Sequence, residues 1–292
     1  MRFQADNGPA RTNLALMHPR LFTTLLLLDP VIQAYSSVPP GSTESPAHMS
    51  TFRRDIWPSR KAAAEGYTKS KFYQAWDPRV IERQVKYGLR DLPTTIHPLA
   101  SIPRGETPVT LSTTKHQEVF TFLRPNYEGS GHKGRPVDRK KQPDVHPGLD
   151  TIYPFYRPEV PGVYFRLPEV RPSVLYVFGE LSYMSSPEAI DAKLNATGSG
   201  VGGSGGIKEG KVKGIILKNV GHLVAMEAVE ECADAAAEWI SNEMKTWTAE
   251  EDEHRKRWMA KTLVEKQTVD EEWKTRIGGN PRKAKPDGNA KL

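Results

Sequence analysis

Three short runs of consecutive apolar residues stand out along the chain, at residues 23–28, 173–178 and 214–217. Each is rich in Leu, Ile or Val and alternates little with polar positions, as expected of strands covered on both faces of a parallel sheet. Helical periodicity flanks them, at residues 12–17, 188–194 and 225–245. Strand and helix alternate, so the pattern predicts an α/β fold on a short parallel sheet.

Between the first two strands lies an insertion over residues 38–170. Its first part predicts helices anchored by Phe72, Tyr73, Trp76, Val80 and Tyr87; from residue 93 onward it is dense in proline and reads as largely irregular. A segment of that size exceeds an ordinary connection and predicts a cap over the C-terminal edge of the sheet. The chain then divides into residues 1–37 with the first strand, the cap at 38–170, the rest of the sheet at 171–245, a charged helix and disorder-prone tail at 246–289, and the last tripeptide, 290–292. Trp239, Trp247, Trp258 and Trp273 fall on one side of a helical wheel and predict one buried stripe along a long C-terminal helix or helix pair.

Composition narrows the classes. With 37% hydrophobic and 26% charged residues over 292 positions, the chain has the make-up of a globular protein. No apolar run approaches the roughly 18 residues a membrane span needs, because the stretch at 21–32 is broken by Asp29 and Pro30. Residues 1–11 lack the apolar core of a secretory leader. The single cysteine, Cys232, excludes an internal disulfide, and beside Ala233 and Ala235 it reads as a packing residue. The net charge of +6 comes from basic excess at 135–141 and 282–285, in Pro/Gly-rich surroundings. Those runs read as solvated loops, and no nucleic-acid partner is expected.

Two positions carry the candidate chemistry. Leu25-Leu26-Leu27-Leu28-Asp29-Pro30 places a carboxylate just past a buried strand, at the sheet edge where active-site residues gather. Ile215-Ile216-Leu217-Lys218-Asn219-Val220-Gly221-His222 does the same for an imidazole. The Asp-before-His order is that of α/β-hydrolases, in which the acid accepts from Nδ1–H and leaves Nε2 to take the nucleophile's proton. Taken alone, Asp29 also fits a strand terminator and His222 a structural histidine. Many such sheets carry the acid after the next strand instead; there this chain has Ser182, with Glu180 as the reserve acid. Gly198-Ser199-Gly200-Val201-Gly202-Gly203 satisfies a dinucleotide-binding pattern, but it precedes a strand and opens no helix, so a flexible loop is expected. The histidines show no ligand spacing, so neither a metal nor a cofactor is expected.

Residues 13–22, followed by Leu28-Asp29-Pro30-Val31-Ile32, resemble the region just after the nucleophile turn in a family of fungal peroxisomal α/β-hydrolases. That family includes the AK-toxin type biosynthetic hydrolases and the acyl-CoA hydrolase of mycophenolic acid biosynthesis. Further similar stretches at 52–60, 71–93, 114–127, 154–158, 171–179, 197–206 and 221–227 extend the resemblance over most of residues 13–240. It implies the C-terminal part of an α/β-hydrolase, an acyl ester or thioester substrate, and Asp29 and His222 as acid and base. The family's Gly-x-Ser-x-Gly turn would fall on Phe3-Gln4-Ala5-Asp6-Asn7-Gly8, with Ala5 where the serine belongs. Alanine has no hydroxyl to activate. The expectation is an N-terminally truncated hydrolase, with a non-catalytic remnant that binds a ligand or partner as the alternative. Ala290-Lys291-Leu292 is a variant of the Ser-Lys-Leu peroxisomal signal, so an import receptor is an expected partner and the peroxisome the expected location.

Overall fold

The computed structural model describes residues 8–35, 45–98, 107–125, 138, 140–146 and 155–279. In chain order, α1 (Gly8–Met17) and β1 (Thr24–Leu28) precede an inserted region. That region holds α2 (Pro46–Phe52), β2 (Ile56–Trp57), α3 (Arg60–Lys69), α4 (Lys71–Gln74), α5 (Pro78–Tyr87), β3 (Leu89–Asp91), β4 (Val109–Leu111), α6 (Lys115–Phe122), β5 (Arg124–Pro125), β6 (Phe155–Tyr156) and α7 (Glu159–Arg166). The chain continues through β7 (Ser173–Gly179), α8 (Pro187–Ala196), β8 (Val212–Leu217), α9 (Val224–Glu227), α10 (Val229–Ala260), α11 (Leu263–Gln267) and α12 (Glu271–Ile277).

The three apolar runs form one parallel sheet in the order β1-β7-β8. Leu28 pairs with Val177 and Phe178 with Ile216, so the C-terminal ends of all three strands meet at one edge. Every residue of the central β7 is buried, which explains its lack of alternation. Val174, Tyr176 and Phe178 face Leu16 of α1, Val163 of α7 and Ile190 of α8. Leu175 and Val177 face Val224 of α9 and Cys232 and Trp239 of α10. The result is a three-layer α/β/α arrangement in which each large apolar side chain of β7 contributes roughly 1.5–3 kcal/mol by leaving water. The buried Tyr176 hydroxyl pairs with Thr197 Oγ1 at 2.8 Å, and burial pushes its pKa above the usual tyrosine value. At the other end of the sheet, Trp239 Nε1 donates to Thr24 Oγ1 at 2.7 Å and Ser173 Oγ donates to Glu243 at 2.7 Å, fastening α10 to two strands.

The inserted region has its own small antiparallel sheet, β2-β4-β3, packed with Trp57, Ala63, Tyr67, Leu89, Val109 and Leu111. The described residues of its proline-dense half include helices where the sequence predicts irregular chain. Thr114 opens α6 with a capping box completed by Gln117, and α7 runs through Pro161. The expected anchors Phe72 and Tyr87 are 55% and 59% exposed. Strands of two or three residues are too short to register as a period, so the core they build went unpredicted. Asp77 N–H donates to Met226 O at 2.8 Å and Arg79 pairs with Glu230 at 3.0 Å, which ties this region to α9 and α10.

The chain separates into two compact units, Met1–Glu243 and Met244–Leu292. In the second, α11 opens on a Thr262–Glu265 capping box and α12 on Asp270. The tryptophans do not make one buried stripe. Trp239 is buried, whereas Trp247, Trp258 and Trp273 are 43%, 46% and 56% exposed. Trp239 lies on the part of α10 that packs on the sheet within the first unit, and the other three fall in the second. Among the described residues, no helix is long and apolar enough to cross a membrane.

Candidate active site

Asp29 continues the β1 ladder for one residue past the strand, its N–H donating to Val177 O at 2.7 Å. The backbone then turns at φ 41°, in the left-handed region that Asp and Asn tolerate better than most residues. That turn aims the carboxylate into the protein, where Asp29 is 1% exposed.

A buried carboxylate must be satisfied by donors. Here His222 Nδ1 lies 2.6 Å from Oδ2, Ser182 Oγ donates to Oδ2 at 2.5 Å, and Ser185 Oγ donates to Oδ1 at 2.5 Å. A carboxylate only accepts, so Nδ1 carries the proton. Ser182 in turn accepts from Met184 N–H at 3.1 Å, which fixes the 182–185 turn. Lys193 is 2% exposed and donates to Met184 O at 3.2 Å. Burial lowers its pKa, and the nearby negative charge of Asp29 works in the opposite direction. Ser182, at the position where an acid is looked for after this strand, is instead a donor to Asp29.

The imidazole reaches this carboxylate because β7 ends in glycine. A Cβ on Gly179 would lie 2.0 Å from Gly221 O and 2.6 Å from Val220 O, so only glycine lets the loop after β8 come this close. Leu181 N–H donates to Val220 O at 2.9 Å across the same gap. Asn219 adopts φ 60° and its N–H donates to Glu180 Oε2 at 2.9 Å. Glu180, the reserve acid, thus serves the loop backbone, and the acid facing His222 is Asp29. On the other side of the loop, Glu227 accepts from Gly221 N–H at 2.6 Å and Leu223 N–H at 3.2 Å. The His222 ring rests near Tyr183, centroids 5.3 Å apart, and its side chain is 17% exposed. One imidazole nitrogen is therefore fixed by the buried acid on a ring that still reaches the surface.

The structure thus brings together the two residues singled out in sequence and adds Ser182, Ser185, Lys193 and Glu227 around them. Isolated serines gave no periodic or spacing signal; only Ser182 standing where an aspartate was looked for pointed at that turn. A second Asp–His pair occurs in the inserted region. His97 Nε2 lies 3.4 Å from Asp55 Oδ2, and Lys115 Nζ lies 3.5 Å from Asp55 Oδ1. Lys115 also donates to Arg53 O at 3.2 Å, and Arg53 is paired with Glu118. Cys232 is buried, and burial pushes its thiol up to about 11, consistent with packing. Among the described residues, no group of three or more His, Cys, Asp or Glu side chains could hold a metal ion. Ala5 and the tripeptide Ala290-Lys291-Leu292 lie outside the described residues.

Comparison with known proteins adds relatives to this geometry. No family model matches the chain. The type I acyl-CoA thioesterase mpaH of Penicillium roqueforti is 37% identical over 254 residues, covering 81% of this chain and 57% of that protein. The abhydrolase domain-containing protein AFT2-1 of Alternaria alternata is 26% identical over 270 residues, covering 89% of this chain and 90% of that protein. Among solved structures, the peroxisomal α/β-hydrolase Lpx1 of Saccharomyces cerevisiae aligns with a TM-score of 0.48 at 12% identity, over 92% of this chain and 57% of that one. The chain spans little more than half the length of the thioesterase it matches.

Proposed function

Since the chain belongs to the α/β-hydrolase family, alongside fungal type I acyl-CoA thioesterases and abhydrolase-domain proteins, we propose that it carries the acid and base of an acyl-ester or thioester hydrolase. The observation that carries this reading is the 2.6 Å contact from His222 Nδ1 to a carboxylate already bonded to two serine hydroxyls. Asp29 holds the ring in one tautomer and stabilises the imidazolium that forms when Nε2 accepts a proton. In a version that supplies the family's serine, which Ala5 does not, His222 serves as general base toward that hydroxyl and as general acid toward the leaving thiolate or alkoxide. The inserted region between β1 and β7 acts as the cap over the reacting acyl group, held through Asp77 and Arg79 to α9 and α10, which follow the histidine loop.

Hydrolysis of acyl-CoA and simple esters by the purified chain tests this, together with labelling by a fluorophosphonate that marks an activated serine. Turnover and labelling that both vanish in His222→Ala support the hydrolase. The second reading, a non-catalytic acyl-ligand binder, is favoured by Ala5 standing where the family's serine falls. A chain that neither turns over nor labels, yet retains acyl-CoA on equilibrium dialysis, supports that reading instead.

The proposal extends to a peroxisomal location in a secondary-metabolite pathway of the toxin type. The tripeptide Ala290-Lys291-Leu292 supports the address. A fluorescent fusion carrying residues 282–292 at its C-terminus is expected in peroxisomes, and Leu292→Asp is expected to leave it in the cytosol.

A further inference from the structure

The loop that carries His222 has few backbone partners of its own. It leaves β8 at Leu217, turns through Asn219, and enters α9 at Val224. The four-residue α9 is too short to hold a preceding loop rigid. The N–H groups on either side of His222, those of Gly221 and Leu223, instead converge on one carboxylate, Glu227, with Oε2 at 2.6 Å from the first and Oε1 at 3.2 Å from the second. Glu227 reaches back because its own N–H donates to Leu223 O at 3.0 Å, which curls α9 under the loop. The fit is close: a Cβ on Gly221 would lie 2.9 Å from Glu227 Oε1 and 3.0 Å from Oε2, so a larger residue there would push the carboxylate off the two N–H groups.

We infer that Glu227 is the positioning residue for His222, a bidentate backbone clamp that sets the direction in which the imidazole presents Nδ1 to Asp29. Charge-assisted hydrogen bonds from backbone N–H to carboxylate are shorter and about twice as strong as neutral ones. Two of them, placed one residue before and one after the histidine, fix the backbone dihedrals at His222 and leave its ring only side-chain rotation. Asp29 then has a single orientation to accept. Glu180 holds Asn219 N–H at the start of the same loop, so a carboxylate secures each end. Glu227 touches no reacting atom; it acts through His222.

This rests on the reading of Asp29 and His222 as an acid–base pair, and the test separates the two. The full chain, labelled with ¹⁵N in its histidine rings, is expected to show one Nδ1–H proton downfield of the amide envelope that disappears in both His222→Ala and Asp29→Asn. If no such resonance exists in the unaltered chain, the pair itself fails and the clamp falls with it. If it exists, Glu227→Ala is expected to abolish it or broaden it by exchange, and Glu227→Gln, which keeps one acceptor, to restore it at a shifted position. A resonance unchanged in shift and exchange rate in Glu227→Ala overturns the clamp. Should Glu227→Ala fail to fold, Glu227→Gln decides alone, since an unshifted resonance there also overturns it. Where turnover is measured, kcat falls ~10- to 100-fold with KM unchanged, as expected for a misaimed base.

Discussion

Two Asp–His pairs lie among the described residues of the first unit, and they are built differently. At the sheet edge, Nδ1 of His222 meets Asp29 at 2.6 Å, and the other donors to that carboxylate are uncharged serine hydroxyls. In the inserted region, Nε2 of His97 faces Asp55 at 3.4 Å, with neither atom in a hydrogen bond, and Lys115 stands near the same carboxylate. The first arrangement holds an imidazole through Nδ1 and leaves Nε2 turned away from the acid. The second places its imidazole in a mixed cluster with Arg53, Lys115 and Glu118, where the acid balances cations. Residue type and proximity are shared. What differs is which ring nitrogen meets the acid and whether the acid's remaining valences go to neutral donors or to charges.

The contrast is sharpest in substitutions of the histidines. In a form of the protein that supplies the family's serine, His222→Ala is expected to reduce turnover by at least ~10³-fold, the scale of losing a general base, whereas His97→Ala leaves kcat within about twofold and acts only on stability. Asp29→Asn should cost nearly as much as His222→Ala, because the amide can present a donor to Nδ1 and favour the wrong tautomer; Asp55→Asn is expected to leave the pH–rate profile unmoved. If the Asp55 and His97 variants lose activity like the other pair, the distinction fails.

Smaller effects come from the supports. Gly179→Ala forces backbone atoms of the histidine loop away from a Cβ that would sit 2.0 Å from Gly221 O. It is expected to destabilise by ~1–3 kcal/mol in denaturant unfolding and to lower kcat more than stability alone explains. Ser182→Ala and Ser185→Ala each remove one donor from a buried carboxylate, at ~1–3 kcal/mol by the same measurement. Least dramatic is Cys232. Because burial raises its pKa to about 11, the folded chain keeps a protonated, shielded thiol at pH 8, above which an unfolded thiol begins to ionise. A disulfide reagent should therefore find no thiol in the native chain and one after denaturation. The stability held by the neutral thiol is complete below the unfolded value and lost as pH rises through the folded one.

The sheet was legible because its strands are long, apolar and set off by helical periods, so both Asp29 and His222 could be placed at its edge from the residues alone. The inserted region was legible only in its helices. Its strands of two or three residues carry no period, and its core gathers Trp57, Tyr67, Leu89 and Val109 from segments far apart in sequence. The shell around Asp29 was hidden for another reason. Ser182, Ser185 and Lys193 become its neighbours only once β1 and β7 pair in register, and nothing local in a serine marks it as the partner of a carboxylate some 150 positions away. The tryptophan stripe failed because a helical wheel reports which face residues share and says nothing of where a covering surface stops.

That failed stripe leaves the molecule with a useful optical asymmetry. Trp57 and Trp239 are shielded, one in the inserted region's own core and the other bonded to Thr24 against the sheet, while Trp247, Trp258 and Trp273 meet solvent. Dissolved iodide should darken the outer indoles and spare the inner ones. The surviving emission then carries Trp57, Trp239 and the half-buried Trp76, separable by Trp57→Phe, Trp76→Phe and Trp239→Phe, which report whether the inserted region and the sheet melt together or in turn.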